Sequence, residues 1–292
     1  MEDFQKTEVQ IINAFVDNGK GGNPAGVVFD ADNLSNEQKL AIAKKVGLSE
    51  TAFVSKSNIA DFKLDFFTPT RQIAHCGHAT IATFSYLSQQ NLIKGELSSK
   101  ETIDGTREIL IQKDLAFMEQ RAPWYRNVDN KEKQILNSLR LTKDDILINA
   151  PITLVNTGNS FIIVPVKSAE VLKRIHPDYD LISEISDELD LIGYYIFSTE
   201  ASSDARDATT RMFAPRYGIK EEAGTGMAAG PLACYLYDRL QIKKNRILIE
   251  QGWYMKEPSP SLIIVDLIVD NNNQISKIMA GGKGKPVKKI LV

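Results

Sequence analysis

The chain has 292 residues, 43% hydrophobic and 25% charged, with 35 Lys and Arg against 37 Asp and Glu for a formal charge of −2. At roughly 150 residues per domain this length predicts two domains, each able to bury a core without disulfide or metal staples. The balanced charge leaves no broad basic surface, which excludes nucleic acid as the expected partner, because phosphate neutralisation dominates that affinity.

In chain order, the acidic start Met1-Glu2-Asp3-Phe4 lacks the positive and apolar regions of a signal peptide, so no export is expected. β-rich runs predict strands over 9–15, 25–29, 51–54, 62–67, 109–111, 116–119, 161–166, 194–198 and 262–269. The last of these is the most apolar run, but Asp266 interrupts it and it is far shorter than the roughly 20 residues of a membrane span. Helical periodicity predicts helices over 36–46, 78–92, 131–138, 168–175, 179–189 and 227–240. The helices do not alternate strictly with the strands, which favours an α+β fold over a doubly wound parallel sheet. With only two cysteines, Cys76 and Cys234, the chain has no disulfide framework and is expected in a reducing compartment, the cytoplasm.

The chain also repeats itself. At an offset of 146, half its length, Phe67-x-Pro69 meets Phe213-x-Pro215 and Ile73 meets Ile219; one residue further, Gly77 meets Gly224 and Ala82 meets Ala229. Each copy reads as an extended Phe-x-Pro segment, a polar turn and a run of small residues opening an apolar helix. The predicted halves are 1–122, completed by about 279–292, and 123–278. The boundary falls near Pro123, where apolar patterning gives way to a polar stretch.

Both repeat cores put small residues where a turn becomes a helix, around Gly77 and Ala79 in one half and Gly226 in the other. Backbone amides backed by the positive end of a helix dipole there would suit an anion such as a substrate carboxylate; close helix packing is the alternative reason for small residues. Glu50 lies in Gly47-Leu48-Ser49-Glu50-Thr51-Ala52-Phe53, between an amphipathic helix and an apolar strand. If partly buried there it is suited to take and return a carbon-bound proton; otherwise it is a solvated turn residue. His75, Cys76 and His78 invite a zinc reading, but adjacent side chains diverge and the third histidine, His176, is remote in sequence, so no metal is expected. The glycine-rich stretches 18–22 and 281–285 lack the features of a phosphate loop and read as turns.

Several segments match one known family in order. They are Gly22-Asn23-Pro24-Ala25-Gly26-Val27-Val28, Leu48-Ser49-Glu50-Thr51-Ala52-Phe53, Phe67-Thr68-Pro69-Thr70, Cys76-Gly77-His78-Ala79-Thr80, Arg211-x-Phe213-Ala214-Pro215, Thr225-Gly226 and Gln251-Gly252. On these the sequence resembles the PhzF-like isomerases of the diaminopimelate epimerase fold, over essentially the whole chain. The resemblance implies two pseudo-symmetric halves, each a barrel-like sheet around a central helix, with the active site between them and commonly a homodimer. It implies that Glu50 is the general acid/base that moves a proton between carbons of trans-2,3-dihydro-3-hydroxyanthranilate, with no cofactor or metal, and that His78 positions substrate or proton.

In the second half the family usually has Glu-Asp-Pro-x-Thr-Gly-Ser-Ala, where this chain has Glu221-Glu222-Ala223-Gly224-Thr225-Gly226-Met227-Ala228. Glu222 keeps a carboxylate and Met227 removes a hydroxyl; with Thr225 and Gly226 they are the expected substrate-binding residues of that half. Cys76 matches the first thiol of the two-thiol racemases of the same fold, but Ala223 stands in place of the second. The expected function is therefore cofactor-free proton transfer on a small carboxylate-bearing molecule. The alternatives are a one-thiol epimerase using Cys76 and a non-catalytic binding protein on the same scaffold.

Overall fold

The computed structural model describes residues 6–292; the reading of Met1 to Phe4 lies outside the described residues. The chain folds as two compact units, one formed by Met1–Glu119 with Gly281–Val292 and the other by Gln120–Ala280.

The first unit begins with β1 (Glu8–Ala14), antiparallel to β2 (Asn23–Val28). A crossover through α1 (Asn36–Val46) leads to β3 (Thr51–Ser55), which is parallel to β2. β3 is antiparallel to β4 (Phe62–Phe67), which carries the two-residue β5 (Gln72–Ile73) on its end. A second crossover, α2 (Gly77–Gln89), leads to β6 (Leu97–Thr102), parallel to β4; β7 (Gly105–Gln112) and β8 (Leu115–Arg121) follow as antiparallel neighbours.

In the second unit β9 (Trp124–Asn127) precedes α3 (Glu132–Leu139) and is antiparallel to β10 (Thr153–Asn156), itself antiparallel to β11 (Ser160–Pro165). After α4 (Ala169–Lys173) and α5 (Tyr179–Leu189) the chain enters β12 (Gly193–Ser198), parallel to β11, then the antiparallel β13 (Ala208–Phe213). The crossover α6 (Gly226–Asp238) leads to β14 (Arg246–Gln251), parallel to β13, and β15 (Ser261–Val269) pairs antiparallel with it. β16 (Ile275–Lys283) and β17 (Lys285–Leu291) complete the chain, and β17 pairs antiparallel with β1 in the first unit.

Each unit thus runs antiparallel, parallel, antiparallel, parallel, antiparallel, with helices in both parallel crossovers. The fold is α+β, and the duplication read from the sequence is a duplication of topology. β4 and β13 end on Phe67 and Phe213, in the register of the repeat. The helices are offset slightly further: Gly77 opens α2 and Gly226 opens α6, so the partner of Gly77 is Gly226 rather than Gly224. The stretch 281–285 is corrected as well. It ends β16 and starts β17, and Gly281 is required because a Cβ there would stand 2.0 Å from the Ala116 carbonyl oxygen.

α2 and α6 are each 13 residues long, with 10 and 11 of them buried. A helix with no solvent face is a central helix enclosed by its sheet. The amphipathic helices lie outside: α1 packs Ile42 and Ala43 with Val9, Val28, Phe53 and Phe67, and α3, α4 and α5 pack Ile135, Leu172 and Ile182 with Leu154, Ile162 and Ile196. Among the described residues no helix is long and apolar enough to cross a membrane.

Candidate active site

In the first unit the sequence around Glu50 is fixed from both sides. Ser35 and Gln38 form a capping box at the start of α1, and Gly47, at φ 70°, ends that helix in a left-handed cap. Lys39 of α1 is bound to Asp65 of β4 at 2.6 Å, with both side chains buried, which ties the helix to the sheet that receives it. Glu50 then precedes β3, and its carbonyl accepts from the amide of Gly26 at 3.1 Å in the parallel pairing. Gly26 permits that approach, since a Cβ there would meet Thr51 Oγ1 at 2.9 Å.

The Glu50 side chain is turned inward and the residue is 8% exposed. Its Oε2 stands 3.4 Å from Nε2 of His78, in the first turn of α2. On the other side of that ring Nδ1 is 3.6 Å from the thiol sulfur of Cys76. The structure thus brings together Glu50, Cys76 and His78 in a line of carboxylate, imidazole and thiol. Gly77, His78 and Ala79 are all buried at the opening of α2, and the Cys76 side chain does not cap it.

Burial pushes the Cys76 thiol up from its ordinary range, against the opposing influence of His78. A thiol held protonated is a weak nucleophile, which argues against a thiol-based epimerase. Among the described residues Glu50, Cys76 and His78 are also the group that could hold a metal ion, each offering one donor atom within 4.8 Å of the others. The nearest contacts, however, run from the carboxylate and the thiol to opposite nitrogens of one ring. That arrangement suits a chain of proton donors and acceptors better than convergence on one ion.

In the second unit Glu222, Thr225, Gly226 and Met227 gather at the opening of α6. The Thr225 hydroxyl donates to Glu222 Oε2 instead of capping the helix. Gln251, at the end of β14, secures the whole segment. Its Oε1 accepts from the Tyr195 hydroxyl at 2.9 Å and from the Thr225 amide at 3.1 Å, while its Nε2 donates to the Glu222 carbonyl at 2.7 Å and to Thr225 Oγ1 at 3.1 Å. Met227 stands where a hydroxyl was expected, and its sulfur accepts from Asn159 Nδ2 at 3.6 Å. Glu221, next to Glu222, is held by Nε and Nη2 of the Arg211 guanidinium, at 2.8 and 2.9 Å.

The sequence reading missed four contributors. Gln251 was visible only as a motif member, and nothing marked Tyr195 as its partner. Lys100 and Thr80, described below, sit behind Cys76; the inward-facing polar side of β6 was the one signal that could have found Lys100. Of the other histidines, His75 lies beside Lys100 and His176 is exposed.

The sequence profile of the phenazine biosynthesis-like proteins (PhzC-PhzF) matches residues 12–289, and the chain belongs to that family. It is similar to the isomerase YddE of Escherichia coli O157:H7, with 35% identity over 238 residues covering 79% of each chain. It is similar to trans-2,3-dihydro-3-hydroxyanthranilate isomerase of Pseudomonas chlororaphis, with 30% identity over 94% of this chain and 95% of that one. The crystal structure of a PhzF-family protein from Bacillus anthracis superposes with a TM-score of 0.90 at 27% identity, covering 99% of both chains.

Proposed function

We propose that the chain is an isomerase that moves a proton between carbons of a small carboxylate-bearing substrate of the dihydro-hydroxyanthranilate kind, with Glu50 as the acid/base. The observation that carries this reading is the buried Glu50 carboxylate facing the His78 ring at 3.4 Å. A buried carboxylate has little water competing for its lone pairs, so it can meet a substrate C–H directly and hold the proton until it is returned to another carbon.

Cys76 sets the ring for this role. A protonated thiol donating to Nδ1 leaves the neutral imidazole with its proton on Nε2, on the side of Glu50. His78 thereby turns its Nε2 proton towards the carboxylate, at a 3.4 Å approach that lacks hydrogen-bond geometry, before Glu50 takes the proton. The amides opening α2, at Gly77, His78 and Ala79, suit the substrate carboxylate, because the dipole of a 13-residue helix stands behind them. Glu222, Thr225, Gly226 and Met227 are the proposed substrate-binding residues of the second unit. Met227 in place of a hydroxyl favours a substrate less polar at that point than dihydro-hydroxyanthranilate itself.

The reaction shifts one proton and one pair of bonding electrons within a single molecule, so the reading calls for neither cofactor nor metal. A cytoplasmic setting and a homodimer belong to it too; two free, buried thiols fit the former. The test is incubation of the protein with trans-2,3-dihydro-3-hydroxyanthranilate in deuterated buffer, with and without a chelator, followed by NMR. The expected result is formation of the isomer at the same rate in both arms, with solvent deuterium at its new C–H to the extent that the proton held on Glu50 exchanges before its return. Binding with neither isomerisation nor deuterium uptake would make the chain a binding protein, and loss with chelator would assign the reaction to a metal.

A further inference from the structure

Lys100, on β6, is wholly buried at 0% exposure. Its ammonium donates to Thr80 Oγ1 at 2.7 Å, lies 3.2 Å from His75 Nδ1 and 4.0 Å from Met118 Sδ, and sits 5.1 Å above the Phe66 ring. Thr80 in turn donates its hydroxyl to the Cys76 carbonyl at 2.7 Å. The amine therefore touches both ends of the segment from His75 to Thr80, within which Cys76 and His78 lie. Its own backbone is fixed between β4 and β7, in register with Phe62 and Arg107.

This is an expensive way to fill a core. Burying a charged amine among neutral partners carries a desolvation penalty that a hydrophobic side chain of similar volume avoids. We propose that Lys100 is a positioning residue whose ammonium, through Thr80 and His75, clamps the chain on both sides of Cys76 and His78 and so fixes the His78 ring against Glu50. This rests on the assignment of Glu50 and His78 above.

The same geometry makes the clamp sensitive to pH. Burial draws the Lys100 ammonium down to about 7. The ionisable groups facing it are His75 and Cys76 ahead of and at the start of α2, Arg107 on β7 and Asp104 in the turn between β6 and β7. Burial and the positive charges of Lys100 and Arg107 hold His75 well below its ordinary range, so it meets Lys100 as a neutral acceptor. As pH rises through 7 the ammonium becomes a neutral amine with one donor fewer, and the clamp weakens.

The experiment compares wild type with Lys100→Met and Thr80→Val in the full chain. Both variants keep the shape of the side chain; the second cuts the link to the Cys76 carbonyl while leaving the amine. With trans-2,3-dihydro-3-hydroxyanthranilate, kcat should fall by about 10–10²-fold in both, the scale of a small misplacement of reacting groups, with KM within about threefold. The wild-type decline of kcat above pH 7 should be absent from Lys100→Met. The double variant should be no slower than the worse single one. Iodoacetamide labelling of Cys76, followed by mass spectrometry, reads the segment without any turnover and should be about tenfold faster in both variants. If that compound is not a substrate, the labelling rates still decide the clamp. Labelling and kcat within about twofold of wild type in either folded variant, or a loss seen wholly in KM, would overturn the proposal.

Discussion

Arg211 offers a measurable test of how the second unit holds its binding segment. It lies on β13 with its side chain buried, and its fork binds both oxygens of Glu221. Its Nη1 also donates to the Ile175 carbonyl at 3.0 Å and to the Leu172 carbonyl at 3.3 Å, and the guanidinium lies 5.0 Å over the Phe213 ring. One side chain thus joins β13, the end of α4 and the segment leading to Glu222. Arg211→Met keeps most of the apolar stem but removes four hydrogen bonds and leaves the largely buried Glu221 side chain, 12% exposed, without its guanidinium partner. Breaking a buried pair from one side destabilises by about 3–5 kcal/mol. For a unit of this size each kcal/mol lowers the melting temperature by about 2–4 °C, so a drop of about 6–20 °C is expected by calorimetry. Adding Glu221→Gln removes the stranded charge, so the double variant should recover at least about 2 kcal/mol relative to the sum of the singles. A drop below about 2 °C in Arg211→Met, or strict additivity, would refute the clamp.

Two further outcomes follow from the buried groups of the first unit. The Lys100 ammonium titrates at about 7 in the fold against 10.5 in the open chain, so between those values the folded state binds fewer protons and stability rises with pH. The unfolding free energy of wild type relative to Lys100→Met should therefore shift in favour of wild type by about 2–4 kcal/mol from pH 6.5 to 9.5; a constant difference would contradict the buried charge. Cys76 and Cys234 are both buried, and burial raises both thiols, so iodoacetamide should label the native chain at pH 8 at least about 10²-fold more slowly than a free cysteine. Labelling of Cys76 at the free-thiol rate would reopen the thiol reading.

The parts of the fold that sequence carried plainly are those where pattern and burial agree. Residues 36–46 and 179–189 have a helical apolar stripe and polar caps, and they form α1 and α5 with those bounds. β6 was invisible because its inward face is Ser98, Lys100 and Thr102 while Leu97 points to solvent, the reverse of the usual alternation. β17 was missed for another reason: it is a largely exposed Lys-rich edge whose strand character comes from pairing with β1.

The site divided in the same way. The small residues opening α2 and α6 could be read locally, whereas the approach of Glu50 to His78 depends on a parallel strand pair and on α2 packing against β1, β2 and β3. No local pattern encodes that distance; the family resemblance, through its SETAF and CGHAT segments, is what joined the two residues in advance. Gln251 could not be assigned at all, because its four bonds are set by Tyr195, Glu222 and Thr225, which come from distant stretches of the chain.

The most direct measurement is solvent deuterium exchange into trans-2,3-dihydro-3-hydroxyanthranilate by wild type and Glu50→Gln, followed by NMR alongside substrate affinity and thermal melting. Glutamine keeps the size of the side chain and its approach to His78 but cannot take the proton. General acid–base catalysis contributes about 10²–10⁴-fold, and here proton transfer is the whole reaction. Isomerisation and deuterium uptake should fall together by at least about 10²-fold in Glu50→Gln, with folding and affinity nearly unchanged. Exchange at the wild-type rate in Glu50→Gln would show that Glu50 is not the base.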